Sequence, residues 1–201
     1  MKLSAIKKLI TESKRALIVR DQDGVRWLGD GLNFYAMDDG IPISKESVLA
    51  ILDVDKDKRD KITPCEWSMP IDARFGIYPN EDTDERLMPC MAVLYGGEPI
   101  MIFMTEAGEI VGVKQAAIKP VEARFGIAYQ LRRRWKDGEE KRPVITCSED
   151  AFVSAILMPI DTEVTRSIVS TMKMLSENEI KLYGGKDKEE AEILTPSADE
   201  E

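Results

Sequence analysis

The sequence contains no histidine, and this absence excludes more functions than any single motif supports. Without an imidazole there is no Ser-His-Asp or Cys-His triad, no histidine general base and no histidine zinc site. The chain has only three cysteines, Cys65, Cys90 and Cys147, which lie far apart and form no C-x-x-C pair. Neither a disulfide framework nor a zinc ribbon is therefore expected, and such thiols are typical of a reducing compartment.

Long apolar runs are also missing. The longest, around Met91–Tyr95 and Ala151–Ile160, reach about half of the roughly 20 residues that a membrane-spanning helix needs. The N-terminal residues Met1–Ile10 lack the apolar core of a secretory signal. We therefore expect no membrane association, and a cytoplasmic location is the default prediction.

The composition is that of an ordinary folded protein, with 43% hydrophobic, 32% charged and 6% aromatic residues among 201. The formal net charge of −9 opposes a basic exterior that coats nucleic acid. A local basic channel remains compatible with this total, because within a Debye length of about 8 Å the nearby charges dominate the field.

Hydrophobic spacing predicts an α+β protein. A helix is predicted over Leu3–Ser13 with Ser4 as its cap, a short one over Ser47–Leu52 with Ser44 as its cap, and a third over Thr162–Glu177. Residues beyond Pro64 are expected to be an irregular connection. The predicted strands, several of them joined as hairpins by Asp- and Gly-rich turns, are Ala16–Arg20, Val25–Leu28, Leu32–Met37, Arg74–Tyr78, Met91–Tyr95, Ile100–Thr105, Glu109–Val113, Phe125–Arg133 and Val144–Cys147.

Two segments imitate ligand-binding motifs but lack essential positions. Asp53–Asp57 begins like a calcium loop, but Lys58 stands where glycine is needed and Pro64 where the bidentate glutamate belongs. Gly96-Gly97 is followed by a proline and a strand, whereas a phosphate loop requires a helix. We therefore predict no metal site and no cofactor.

Enzymatic chemistry would have to use carboxylates alone. Asp30 with Asp38 or Asp39 is the pair considered, acting as acid and base. No spacing makes this pair better than exposed turn residues, so no enzyme is predicted.

Three consecutive arginines, Arg132–Arg134, lie at the end of a predicted strand beside Trp135, and Trp135–Glu140 is predicted as a hairpin tip. Arg132 and Arg133 could contact a phosphate backbone. The same arginines could instead form ion pairs with Glu139 and Glu140, and this alternative stays open.

Two internal echoes suggest duplication. Met69–Asp72 recurs as Met158–Asp161, and Asp72–Ile77 is echoed by Glu122–Ile127. Their offsets differ, 89 against 50 residues, so both cannot belong to one duplication. The longer offset, with the turn-rich loop Pro79–Pro89 as boundary, predicts two tandem halves, residues 1–80 and 86–161, followed by a helix over 162–178 and a flexible acidic tail over 179–201.

The stretch from Pro143 to Thr146 and from Phe152 through Met158-Pro159-Ile160 resembles the terminal strand pair of bacterial DNA sliding clamps, the processivity factors of replicative polymerases. The lysine-bearing N-terminal helix followed by strands about Gly24 is similar to the opening of a clamp domain. The short, methionine-rich form suits a phage or mobile-element protein.

This resemblance implies clamp-like halves of antiparallel sheet whose amphipathic helices line a central hole. It implies sequence-independent contacts to double-stranded DNA through inner cations, Lys7, Lys8, Lys14 and Lys114. In bacterial clamps the Met-Pro strand helps to bind peptides of polymerases and other partners, which here falls on Met158, Pro159 and Ile160. A homo-oligomer that associates with DNA, a DNA polymerase or other replication proteins is the predicted function.

A second function of a different class is also predicted. In this alternative the chain is a protein-interaction or structural module that assembles through its C-terminal helix and does not bind DNA.

Overall fold

The computed structural model describes residues 1–38, 40–76, 84–122, 126–137, 140–149 and 152–174. Met1–Thr162 form one compact unit, and a second unit begins at Glu163, where the described residues 162–174 are helical. The helices of the first unit are α1 (Leu3–Ser13), α2 (Val48–Ile51), α3 (Lys56–Arg59), α4 (Ile71–Phe75) and α5 (Gln115–Ile118).

Ten strands in the described part of the chain form one mixed sheet, so the protein has the predicted α+β character. Every neighbouring pair is antiparallel except β1 with β4. The spatial order is β4-β1-β2-β3-β10-β9-β8-β5-β6-β7. The strands are β1 (Arg15–Arg20), β2 (Arg26–Gly29), β3 (Phe34–Ala36), β4 (Thr63–Glu66), β5 (Glu85–Tyr95), β6 (Glu98–Thr105), β7 (Ile110–Lys114), β8 (Ala128–Asp137), β9 (Glu140–Glu149) and β10 (Phe152–Leu157).

The sheet is continuous across the predicted division into residues 1–80 and 86–161. Strand β10 from the later range pairs with β3 from the earlier one, with Ala155 opposite Tyr35 and Ile156 opposite Phe34. The two tandem halves stay a prediction from the sequence.

The main core lies on one face of the sheet. Helix α1 forms because Ile6, Leu9 and Ile10 make a single apolar stripe, and all three are buried. Strand β1 contributes Ala16 and Ile18 to the same core. Helix α5 packs against it as well, and Tyr35 donates its hydroxyl to the carbonyl oxygen of Ala117 in that helix at 2.8 Å.

A second core lies on the opposite face beneath α4. Leu17 and Val19 of β1 point to this side, which explains why β1 is apolar at every interior position. Phe34 is its centre, with the rings of Trp67 and Phe75 at 5.4 and 5.5 Å. Both faces of the first strands are therefore buried.

The sheet curls strongly between β10 and β7. Five strand spacings separate these two strands, about 24 Å along a flat sheet. Nevertheless the backbone N–H of Ile160, three residues after β10, donates to the carbonyl of Gly112 in β7 at 2.8 Å. The segment after β10 therefore bridges the two ends of a six-stranded curved section.

Local predictions for one helix and three hairpins are confirmed. Helix α1 has the predicted bounds, and the hairpins β1–β2, β5–β6 and β8–β9 form as expected. The β5–β6 turn is tight because Gly96 and Gly97 both take positive φ, 59° and 81°, which glycine adopts without steric cost.

Helix capping differs from prediction. The residue before α1 is Lys2, without a side-chain cap, because the helix starts one residue before Ser4. The N–H of Lys2 is instead bonded to the carbonyl of Pro120 at 2.9 Å. Helix α2 likewise begins after Ser47, although the hydroxyl of Ser44 does accept the N–H of Ser47 at 3.2 Å.

Four strand or loop predictions are wrong within the described residues. Thr63–Glu66 is an edge strand, since it aligns with β1 as its parallel neighbour. The predicted strand Arg74–Tyr78 begins inside α4, whose Ile71 and Phe75, one helical turn apart, both enter the second core. Pro89 belongs to β5, not to a loop, and Trp135 pairs with Arg142 instead of lying in a tip. The tip residues 138–139 and much of the predicted loop lie outside the described residues.

Candidate functional site

The predicted DNA-binding lysines of α1 differ in their availability. The ammonium of Lys7 donates to the backbone carbonyl of Asp53, and Lys8 lies 3.7 Å from Glu12 in an exposed ion pair. Lys14 is exposed at the end of the helix, in a left-handed conformation with φ of 59°. It has no ion-pair partner among the described residues, so it is the one lysine of this helix set whose charge is uncompensated by direct contact.

The DNA-binding cations predicted on the sheet form ion pairs with carboxylates. Lys114 lies 2.6 Å from Glu98. Arg133 bonds to both Glu85 and Glu109. Burial lowers the pKa of Arg133, but the hydrogen bonds to Glu109 and Glu85 outweigh it and raise that pKa overall. These contacts give the arginine a structural role in joining β8 to β5 and to the residue before β7.

Arg132 is fully enclosed. Its Nε lies 3.3 Å from a carboxylate oxygen of Asp84, whose side chain is also buried, and its terminal nitrogen donates to Gln130 at 2.9 Å. A guanidinium without exposed surface is not available to a phosphate in this conformation, so Arg132 is set apart from the other predicted cations. Within the described residues the acidic partners are Asp84 for Arg132 and Glu85 for Arg133. The side chains of Glu139 and Glu140 lie outside the described residues, and pairing with them stays a prediction.

The predicted peptide pocket falls on the bridging segment after β10. The N–H of Met158 donates to the side chain of Asn33 at 3.2 Å, and that of Ile160 donates to Gly112. Met158, Pro159 and Ile160 are each half-buried. The structure therefore gives this segment a bridging role within the curved sheet, and its binding of peptides stays a prediction.

Asp30, whose carboxylate was considered for acid–base chemistry, accepts hydrogen bonds within a turn. Asp30 accepts the N–H groups of Leu32 and Asn33 at 2.9 and 2.7 Å, and the amide of Asn33 as well. Asp38 is exposed, and Asp39 lies outside the described residues.

Burial raises the pKa of one thiol and two phenols in or against the main core. Burial raises the pKa of the Cys147 thiol, so this cysteine is not a ready nucleophile. Burial also raises the pKa of Tyr35, with the nearby Asp30 adding to the effect, and raises the pKa of Tyr129 to about 12.

The most unusual surface is the outer part of β5. Strand β8 pairs with β5 only at Glu85, Arg86 and Leu87, whereas β5 continues to Tyr95. Over Met88–Tyr95 the strand pairs with β6 alone among the described residues. We call Met88–Tyr95 the free edge, because one side of its backbone has no neighbouring strand in the described part of the chain.

The free edge is apolar and exposed. Leu87, just before it, is 3% exposed, whereas the exposed fraction rises to 76% at Leu94 and is 45% at Met91 and Tyr95. No residue from Leu87 to Tyr95 carries a charge. Met88 and Met104, opposite each other on β5 and β6, extend the same exposed apolar surface. Proteins protect such edges with charged residues, proline or bulges; this edge has a proline, Pro89, and a bulge between Pro89 and Met91, but no charged residue.

Comparisons with protein-family models, with curated proteins and with solved structures found no match to this chain. No helix within the described residues is long and apolar enough to cross a bilayer. Over the same residues, no three cysteine or carboxylate side chains come together in a way that could hold a metal ion. The function of the chain is therefore inferred from its own surfaces.

The sequence predicts the hairpin around Gly96-Gly97 but not the free edge. The signal was present as an uncharged run from Leu87 to Tyr95 that is longer than the predicted strand Met91–Tyr95. What the sequence could not show is that β8 leaves β5 after three paired residues, since that depends on the order of strands in the sheet.

Proposed function

We propose that this protein is a non-enzymatic interaction module that assembles with a second copy of itself by pairing the two free edges. The observation that carries the proposal is the free edge itself, an exposed strand edge without charge. An open strand edge offers unpaired N–H and C=O groups that an added strand can satisfy, and exposed apolar side chains add burial to those hydrogen bonds.

Charge favours a second copy as the occupant. Two chains of net charge −9 repel each other at a distance, so close contact is least opposed where neither carries charge. The free edge is such a surface. In an antiparallel pairing about a two-fold axis between Met91 and Ala92, Met88 of one copy faces Tyr95 of the other, and no like charges meet.

The length of the edge fits the same arrangement. β8 begins at Ala128, and the pairing register ends at Tyr129 opposite Leu87, which bounds the free edge on one side. The Gly96-Gly97 turn bounds it on the other. Among the described residues no strand lies beside Met88–Tyr95 on this side, and Pro89 is the one position of the edge without an N–H to donate. A second copy supplies a strand of the same length.

This proposal belongs to the second class of function that the sequence predicts, a protein-interaction module. It differs in the assembly surface, which is the free edge and not the C-terminal helix. The C-terminal helix is described only to residue 174, and assembly through that helix stays a prediction. The free edge is the surface whose geometry argues for assembly directly.

The experiment is the mass of the full chain in solution as a function of concentration, measured by sedimentation equilibrium. We expect a reversible dimer for the wild type. We expect Met91→Lys combined with Leu94→Lys to be monomeric over the same range. Two lysines on each edge place like charges near the axis, and pairing the edges would remove water from their ammonium groups.

A matched control is Leu32→Lys. Leu32 is also an exposed leucine, 62% accessible, but it lies in the turn after β2, and its substitution should leave the dimer intact. Hydrogen exchange gives a second measurement that does not depend on substitution: amides of the free edge should become protected as concentration rises. A wild type that stays monomeric, with free-edge amides that exchange equally at low and high concentration, would contradict the proposal.

A second candidate function, association with double-stranded DNA, is favoured by one specific observation. Lys14, Arg15 and Lys61 have no ion-pair partner among the described residues. The backbone brings them together, since the N–H of Thr63 donates to the carbonyl of Lys14 at 3.1 Å and Arg15 is opposite Thr63. Such a group suits loose phosphate contacts.

Filter binding to duplex DNA at several salt concentrations tests this candidate. We expect Lys14→Gln with Lys61→Gln to weaken binding equally for all sequences and to reduce the salt slope by about 1 for each phosphate neutralised by a removed lysine. Lys45→Gln, which removes an exposed lysine elsewhere, is the control. Absence of binding by the wild type at low salt excludes this function and leaves the assembly proposal standing.

A further inference from the structure

Two arginines face each other at the end of the β1–β2 hairpin. Arg20, the last residue of β1, is directly opposite Arg26, the first residue of β2. Directly opposed residues in an antiparallel pair have Cα atoms about 5 Å apart, and like charges in that position destabilise the sheet. Neither guanidinium has a hydrogen-bond or ion-pair partner among the described residues.

The acid nearest in sequence, Asp21, forms no ion pair with either arginine. The carboxylate of Asp21 accepts the N–H of Val25 at 2.8 Å and the indole N–H of Trp27 at 3.1 Å, so both of its oxygens are used by the turn. Trp27 points to the second core, on the face opposite to Arg20 and Arg26. Asp21 therefore organises the turn and makes no direct contact with the two guanidinium groups.

The arginines line a cleft of about 180 Å³ at the rim of the main core. Met37, a residue of the main core, lines the cleft, and its N–H donates to the carbonyl of Arg26 at 2.8 Å, which holds this part of the lining against the hairpin. Asp38 is the one carboxylate in the described lining, so the two arginines leave a net positive charge. The lining residues are Arg20, Gly24, Arg26, Met37, Asp38 and Ile41.

We propose that this cleft binds a small tetrahedral oxyanion of the phosphate class. Paired guanidinium groups present several N–H donors in a planar fork that matches phosphate oxygens, and an anion between them removes their mutual repulsion. The volume is below the roughly 300 Å³ at which pockets for larger ligands begin, so the site suits a phosphate group and not a nucleotide. The site is separate from the free edge and does not depend on assembly.

Thermal unfolding of the full chain in potassium phosphate, compared with potassium chloride at equal ionic strength, tests this site. Binding to the folded state alone raises the midpoint with phosphate concentration. We expect a saturable rise for the wild type and at least a roughly tenfold weaker apparent affinity for Arg20→Gln combined with Arg26→Gln. In chloride the double variant should be no less stable than the wild type, because the substitutions remove the repulsion between the two opposed guanidinium groups.

Arg86→Gln is the matched control, since Arg86 is an exposed arginine of β5 that belongs to no proposed binding surface, and its substitution should leave the phosphate effect unchanged. Titration with inorganic phosphate and with phosphoserine distinguishes a free anion from a phosphorylated chain as the source, and tighter binding of either one supports the site. A phosphate effect equal to that of chloride, or equal in the wild type and the double variant, would overturn the proposal.

Discussion

Two hairpins of the same sheet differ in the burial of their apolar residues. In β1–β2 the interior positions of both strands are buried, and the arginines stand at the ends. In β5–β6 the apolar residues of β5 continue to Tyr95 after the strand has left β8, and most of them are exposed. The first hairpin holds the fold together, whereas the second carries apolar surface beyond what the fold needs.

The difference shows where function can be sought when the structure is the available guide. Burial of a large apolar side chain is explained by stability alone, since it removes surface from water. Exposure of a continuous apolar strand edge is not explained in this way, and such edges favour association. The same reasoning applies to charge: arginines with carboxylate partners stabilise the sheet, whereas Arg20 and Arg26 oppose each other.

The largest expected effect separates the two hairpins by stability. Trp27→Ala should lower the free energy of unfolding by about 4 kcal/mol, because the ring is 2% exposed and its loss leaves a cavity in the second core. Leu94→Ala should change it by less than about 0.5 kcal/mol, because the side chain is 76% exposed. Urea unfolding at a protein concentration below that of dimer formation measures both. Similar losses of stability for the two variants would remove the distinction between the hairpins.

A smaller effect is expected at the base of the second hairpin, where two adjacent ion pairs differ in burial. Asp84→Asn should cost about 3 kcal/mol, because it removes the carboxylate charge beside the enclosed guanidinium of Arg132. Glu85→Gln removes the neighbouring partner of Arg133, whose side chain is 36% exposed, and should cost less than about 1 kcal/mol. Urea unfolding of both variants tests this. Equal costs would mean that burial does not set the strength of these pairs.

The sequence predicts local structure better than it predicts which distant segments lie side by side in the fold. Helix α1 follows from the stripe Ile6, Leu9 and Ile10, and the β5–β6 turn follows from Gly96-Gly97, because both depend on residues a few positions apart. The short helix α4 has no such signal, since its five residues are too few to show a period of their own. Only the contacts of Ile71 and Phe75 with residues of the second core, distant in sequence, explain this helix.

The candidate sites show the same limit. The run Leu87–Tyr95 and the arginines flanking the first turn are visible in the sequence. Their significance depends on where β8 begins and on the register that sets Arg20 opposite Arg26. The ion-pair partners of the cations expected to bind DNA also come from distant parts of the sequence. The carboxylate of Glu85, which bonds to Arg133, comes 48 residues earlier in the chain.

The most direct test of self-assembly through the free edge is sedimentation equilibrium of the wild type beside the Met91→Lys, Leu94→Lys double variant. We expect a reversible dimer for the wild type and a folded monomer for the double variant, with Leu32→Lys behaving as the wild type. A wild type that remains monomeric at every concentration, or a dimer that the double variant preserves, would show that the free edge is not an assembly surface.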